Sequence, residues 1–462
     1  LAKNKLQEKS ALLVATLSSF MGPFIISSVN VALPAIQQEF SADAVLLSWV
    51  ATALLLAVAV LLIPMGKLGD IYGRKKIFTL GLAVYTLASL LGAFSISMTM
   101  LIAVRVFQGF GAAMFVTTGM AILTSVFPPK RRGRAIGIYV AAVYIGLSVG
   151  PFAGGFLTQY LGWRSIFGVV VPFGMISVWV TLQHLKDEWA DAKGEKFDLT
   201  GSLLYAVSVF MLVYGASLLP QLQAVYFIVT GVITTAIFVW LELYTPQPVF
   251  EIRLFSGNQL FAFSSLAALI NYAATFAVTF LLSLYLQYIK GFDPRTAGTI
   301  LVAQPVVMAF FSPLAGRLSD RIEPRFISSA GMALTAMGLL LFSRVGTATG
   351  IIYIVATLMM LGFGFALFSS PNMNAIMGSV EKKYFGIASG TVAAMRLLGQ
   401  MTSMAIAMVI FAVFIGREQI TPSNYELFLK SLKLSFLIFA FLCVLGIFFS
   451  ITRGKLRNKT AK

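Results

Sequence analysis

Two arginines stand inside long apolar runs of this 462-residue sequence. Arg105 lies several residues into one run, with Gln108 and Gly109 one turn further on. Arg396 lies about a third of the way into another, in Arg396-Leu397-Leu398-Gly399-Gln400. A guanidinium in hydrocarbon costs about 2.5–3.5 kcal/mol on insertion scales, and its planar fork suits a carboxylate or phosphate. Amides and a phenol on other runs, Asn30, Asn271, Tyr272, Gln304 and Asn372, with Ser27, Ser28 and Asn374, are the residues that could complete a cavity around an organic molecule. Asn30 and Asn372 each neighbour a helix-disrupting proline, Pro34 or Pro371. Plainer readings stand beside these. An arginine near a helix end can extend its head to the interface, Arg396 can be satisfied by backbone carbonyls, and polar residues can simply bond between helices. The sequence has no G-x-S-x-G, P-loop, H-E-x-x-H or Cys/His cluster, so no enzyme and no cofactor is expected. Without a P-loop, no process driven directly by ATP hydrolysis is expected.

Those side chains need helices long enough to cross a bilayer, and the composition supplies them. The chain is 58% hydrophobic, with a mean hydropathy of +0.89. Charged residues make up 11%, against about 25% in soluble domains. Apolar runs of roughly 20 residues recur from end to end, the length that spans the hydrocarbon as a helix. Fourteen spans are expected, near 11–33, 45–65, 77–96, 101–126, 135–159, 165–184, 200–219, 223–244, 260–288, 296–315, 326–343, 350–371, 386–415 and 430–452. With both ends cytoplasmic, the inner segments hold 25 basic residues and the outer segments 7. The positive-inside rule therefore favours this topology in a multi-pass cell-membrane protein. The net charge of +17 is spread over many short loops, which fits anionic lipid headgroups rather than nucleic acid. The single cysteine, Cys443, lies in an apolar run and excludes an intrachain disulfide framework. The one histidine, His184, falls near a cytoplasmic helix end and is read as solvated or capping.

Two inter-run segments echo each other. Gly66-Lys67-Leu68-Gly69-Asp70-Ile71-Tyr72-Gly73-Arg74-Lys75-Lys76 is one, and Gly316-Arg317-Leu318-Ser319-Asp320-Arg321 is a shortened copy 250 residues on. Six helices with their loops occupy about 180–200 residues at this helix length, so the excess fits two inserted helices. A mixed-charge stretch from Lys186 to Asp198 precedes them. The expected organisation is all-α: a six-helix bundle over 1–185, a linker with two extra helices over 186–258, and a second six-helix bundle over 259–462.

Further motifs fall in order. Val29-Asn30-Val31-Ala32-Leu33-Pro34 ends the first run. Arg105-x-x-Gln108-Gly109-x-Gly111 lies in the fourth. Gly146-x-x-x-Gly150-Pro151-x-x-Gly154-Gly155 ends the fifth, followed by Gly162-Trp163-Arg164, and Tyr285-Leu286-Gln287 precedes Gly291-Phe292-x-Pro294. With the two echoing loops, they resemble the fourteen-helix drug:proton antiporter branch of the major facilitator superfamily. The likeness covers nearly the whole chain.

The resemblance implies a secondary transporter that exports amphiphilic organic molecules by alternating access, with protons as a coupling ion. It implies that Asp70, in the loop of Gly66, Gly73 and Arg74, holds the inner side shut through basic groups and a helix N-terminus of the other bundle, with Arg134 as a basic partner and Asp320 as the weaker counterpart. It places the Gly146, Gly150, Pro151 and Gly154 face of the fifth helix against the opposite bundle, and gives Arg105 a part in proton coupling or cavity electrostatics. The expected partners are a lipophilic small molecule and membrane lipids, with the chain working as a monomer. One position departs from the pattern. Relatives carry an acid five residues before Asn30, where this chain has Ile25, and no Asp or Glu lies mid-span. Intramembrane acids are the usual proton relays. A transporter of lipids or anionic lipophilic metabolites, an uncoupled facilitator, and a transporter-like sensor are therefore the other readings.

Overall fold

The computed structural model describes residues 2–456 except 220, 247, 251, 320, 381–384 and 417, and leaves out the side chains of 2–5, 129–134, 137, 140, 254, 256, 385–387 and 389. Fourteen of its helices are long and apolar enough to cross a membrane: α1 Leu6–Phe40, α2 Ala44–Tyr72, α3 Arg74–Ala93, α4 Met98–Val126, α5 Ala141–Leu161, α6 Ser165–His184, α7 Leu199–Ser217, α8 Leu222–Tyr244, α9 Gln259–Ile289, α10 Pro294–Ser319, α11 Pro324–Phe342, α12 Ile351–Gly378, α13 Gly390–Phe414 and α14 Pro422–Thr452. No strand occurs among the described residues. All fourteen expected spans are found. Most run past the apolar windows, because helical hydrogen bonding continues into polar ends where hydropathy no longer marks it.

The helix ends are set by local chemistry. Ser97 caps α4, its hydroxyl accepting from the Met100 N–H. The last turn of α9, Tyr285–Ile289, is π-helical. Gly291 then turns the chain with φ +67°, which favours glycine. Asp293 caps α10 through the Thr296 N–H, and Pro294 occupies its first turn. That N–H holds the Asp293 carboxyl below its ordinary range. The motif around Gly291 is thus a helix stop followed by a helix start.

The chain divides into two compact units. The first comprises Leu1–Ala42, Trp49–Leu212 and Val229–Phe250, and the second Asp43–Ser48, Val213–Ile228 and Glu251–Lys462. In the first, α1 packs on α4, α5 and α6, and α3 packs on α4 and α6. In the second, α9 packs on α12, α13 and α14, and α11 packs on α12 and α14. The plan is the same with every helix advanced by eight.

Glycines repeat the plan at atomic detail. A Cβ on Gly111 would lie 2.6 Å from the Gly81 carbonyl oxygen, and one on Gly364 would lie 2.8 Å from that of Gly331. Gly109 abuts the Leu54 carbonyl as Gly362 abuts that of Gln304, and Gly146 abuts the Phe20 carbonyl as Gly399 abuts that of Leu269. Each partner lies 249–253 residues from its counterpart, close to the spacing of the two echoing segments. Without an apolar driving force between helices in lipid, such small-residue contacts hold a bundle together.

The extra pair is fastened by α7. The Tyr205 hydroxyl donates to the Ala59 carbonyl of α2 at 2.9 Å, and its ring meets Phe238 of α8. α8 buries only 17% of its most apolar stretch, against 72% for α2, so most of its surface is left for lipid.

Candidate functional site

Arg105 is 1% exposed. Its Nε donates to the Val50 carbonyl of α2 at 2.9 Å, its Nη1 donates to Gln108 Oε1 at 3.0 Å, and Gln108 Nε2 donates in turn to Ser89 Oγ of α3 at 2.9 Å. The head does not reach outward. It ties three helices of the first unit together, with Gln108 as the relay. This arrangement rejects the interfacial reading and leaves the Arg105 head committed to protein partners.

Arg396 is different. It is half-buried on α13 and makes no hydrogen bond or ion pair among the described residues. Asn271 on α9 is fully buried, and neither end of its amide has a partner. Buried polar groups left unpaired cost about 1–3 kcal/mol, so both residues have capacity that a ligand or water can use. Tyr272 packs edge-on to Phe365 of α12. Gln304 is half-buried, with its carbonyl against Gly362. Asn30 is buried on α1.

Asn372 has a structural partner that the sequence did not advertise. Arg453, one residue past α14, is 1% exposed. Its Nη1 donates to Asn372 Oδ1 at 2.5 Å and to Ser264 Oγ at 3.3 Å, and its Nη2 donates to Ser328 Oγ at 3.3 Å. Asn372 Nδ2 donates to the Ser264 carbonyl. Burial pulls the Arg453 guanidinium down to about 10, which leaves it charged at neutral pH. Arg453 reads in the sequence as one of several terminal basic residues. The available signal was the set of polar residues on α9, α11 and α12 with no other evident role.

The Gly66–Lys76 segment, expected as a loop, is helical except at Gly73: it ends α2 and begins α3, and the linker that follows α6 holds it. Arg74 Nε donates to Asp70 Oδ1 at 2.8 Å, its Nη1 donates to Ser125 Oγ at 2.9 Å, and it pairs with Asp191 at 2.8 Å. The backbone joins in: Arg74 N–H donates to the Trp189 carbonyl and Ala192 N–H to the Asp70 carbonyl. Glu188 accepts from the Lys75 N–H, and Lys67 pairs with Glu195. Gly73, at φ +118°, leaves the space that the Glu188 side chain fills. The described partners of Asp70 are therefore Arg74 of the same segment and the linker backbone. The Arg134 side chain and Asp320, expected as its basic partner and its counterpart, lie outside the described residues.

The glycine face of α5 meets α1 of its own unit rather than the expected opposite bundle. Gly146 lies against Phe20 and Phe24, Gly150 against Ser27, and Gly154 against Ser28. Ser28 Oγ donates to the Gly150 carbonyl at 2.9 Å, and Ser27 Oγ reaches that of Gly146 at 3.3 Å. Pro151 sits inside the same helix. Small residues let two backbones approach closely, and α1 is the helix that uses them. At the other end of α1, Arg164 forks onto both Glu39 carboxylate oxygens and donates to the Ser95 carbonyl, while Trp163 Nε1 donates to Glu39. This is the work of the Gly162-Trp163-Arg164 triplet.

The family model described as Major Facilitator Superfamily matches residues 14–270 and 264–462. The chain belongs to the Major Facilitator Superfamily. It is a multi-pass membrane transporter with two six-helix bundles and two extra helices, of the drug:proton antiporter-like branch. Among its relatives, the chain is 28% identical to the riboflavin transporter RibZ of Clostridioides difficile (strain 630) over 445 residues, 96% of this chain and 97% of that protein. It is 32% identical to the multidrug resistance protein Stp of Mycobacterium tuberculosis (strain CDC 1551 / Oshkosh) over 394 residues, 84% of this chain and 73% of that protein. In fold, it resembles a bacterial homologue of the human lysosomal transporter Spinster, solved inward-facing and unoccupied, with a TM-score of 0.72 at 16% identity over 97% of each chain. As in other members of this superfamily, its substrate is a small molecule.

Proposed function

We propose that this transporter exports amphiphilic organic molecules by alternating access, and that it favours anionic, zwitterionic or neutral substrates over monovalent cations. The observation that carries the reading is Arg396, half-buried in an apolar helix with no partner among the described residues. A lipophilic anion pairs with that guanidinium, whereas a cation meets like charge in a medium that screens it poorly. Asn271, with an unpaired amide, offers a neutral hydrogen-bonding group on α9 of the same unit. The kinship with multidrug resistance proteins supports export. Asp70 and Arg74 with Gly66 and Gly73, and the Gly146, Gly150, Pro151 and Gly154 face, serve as conformational elements. Both termini are cytoplasmic, in keeping with the distribution of basic residues. Because Ile25 stands where the branch carries an acid, proton exchange does not run through that position.

A second reading has its own support. The riboflavin transporter matches 96% of this chain, which favours a planar heteroaromatic solute. Proteoliposomes with an imposed pH gradient, loaded in turn with riboflavin and with matched anionic, neutral and cationic amphiphiles, separate the two. Transport of riboflavin alone would replace the export reading.

A further inference from the structure

Asp198 ends the linker and Glu242 lies near the end of α8. Asp198 Oδ1 accepts from the Gly201 N–H at 2.8 Å, and Glu242 Oε2 accepts from the Phe250 N–H at 3.0 Å. Each carboxyl is thereby oriented by one oxygen. The second oxygens, Asp198 Oδ2 and Glu242 Oε1, are buried and have no donor. Both crowd the place that a Cβ on Gly201 would take, and the two carboxyls are within hydrogen-bonding reach of each other. Glu242 as a whole is 1% exposed.

Among the described residues, no basic side chain hydrogen-bonds or ion-pairs with either carboxyl. α7, α8 and residues 245–250 contain no Lys or Arg. Lys67 on α2 is engaged by Glu195, and Lys193 and Lys196 are exposed. The tyrosine at this packing, Tyr205, gives its hydroxyl hydrogen to Ala59. Two bare carboxylate oxygens facing each other away from water repel strongly, and one hydrogen between them removes a charge and supplies the missing donor. A hard divalent cation would want six or more oxygens, and this site offers two.

We propose that Asp198 and Glu242 bind one proton between them, as a carboxylic acid–carboxylate pair that closes the α7–α8 hairpin at this end. The proton is held on the line between Asp198 Oδ2 and Glu242 Oε1 and is released to solvent as pH rises. The folded chain then binds more protons than the unfolded chain through that titration. Its contribution to stability is present at lower pH and lost as the pair deprotonates. Asp198 also ends the segment that carries Glu188, Asp191 and Glu195 onto the Gly66–Lys76 corner of α2 and α3, so the occupied pair anchors that strap. The site is distinct from the transport reading and does not depend on it.

Infrared spectroscopy of the purified full-length protein in nanodiscs tests this. At neutral pH, the wild type should show a protonated-carboxyl C=O band that Glu242→Gln and Asp198→Asn each remove, and that mildly alkaline pH also removes. The unfolding midpoint of the wild type should fall over the same pH interval, while that of Glu242→Gln stays flat. A band retained in both variants, no band in the wild type at neutral pH, or a wild-type midpoint independent of pH would overturn the proposal. The wild-type titration stands even if a variant does not fold.

Discussion

Gly154→Ala is a one-methyl perturbation whose effect can be read from the structure. The new Cβ would sit 2.6 Å from both Cα and Cβ of Ser28 and 2.9 Å from the Ser28 carbonyl oxygen. Carbon atoms pack at about 3.5–4.0 Å, so α5 must retreat from α1 by about 1 Å at this point. The obstacle is backbone and cannot rotate away. Overpacking of this kind costs about 1–3 kcal/mol, roughly a 5- to 150-fold change in the folded-to-unfolded ratio. The Ser28–Gly150 hydrogen bond lies one turn away and lengthens with the same movement. Gly22→Ala is the internal control, because nothing lies within 4 Å of its Cβ position on α1. There the methyl should be neutral or stabilise by about 0.5–1 kcal/mol, as Ala does in a helix interior. Reversible unfolding in mixed detergent micelles, with transport measured on the same preparations, separates the two. Gly154→Ala should be destabilised and impaired in turnover, and Gly22→Ala should not. Equal stability and turnover for the two variants would show that the α1–α5 contact is not the tight packing on which folding and transport depend.

Asp70→Asn keeps the shape of the α2–α3 corner but removes one of the two counter-charges of Arg74, the other being Asp191, so insertion should be normal and turnover reduced, as read by transport per inserted molecule. Gly73→Ala should release Glu188 and expose the linker, increasing protease nicking across 186–198 relative to wild type; an unchanged digestion pattern would count against the strap. Asn372→Ala removes the closest described acceptor of the buried Arg453 and should lower stability by about 1–3 kcal/mol, within the range for an abandoned buried partner, with substrate preference unaltered. A shift in substrate preference there would restore Asn372 to the binding surface.

The helices were legible because hydropathy over about 20 residues is a strong signal, and the repeat because Gly66 and Gly316 head similar sequence motifs. An offset of 250 to 253 residues also relates Gly81 to Gly331 and Gly111 to Gly364, which is visible once the contacts are known. Arg105 could be marked from its position within a run. Arg453 could not, since nothing in a terminal basic run marks out an arginine that folds inward. The linker partners of Arg74 were hidden for a related reason: Glu188 and Asp191 are over a hundred residues away, and a mixed-charge stretch looks the same whether solvated or docked. Glycine spacing identified a close-packing face on α5, but only the fold names α1 as its occupant.

The central proposal is that the Arg396 guanidinium, unpaired among the described residues, selects the substrate's charge, and transport of a matched pair of amphiphiles differing only in the sign of their charge tests it most directly. In proteoliposomes, the wild type should move the anion faster than the cation. Arg396→Gln should narrow or reverse that ratio with little loss of stability, since no described partner is abandoned. Arg105→Gln should instead destabilise the protein. Faster transport of the cation by the wild type, with the ratio unmoved by Arg396→Gln, would contradict the account.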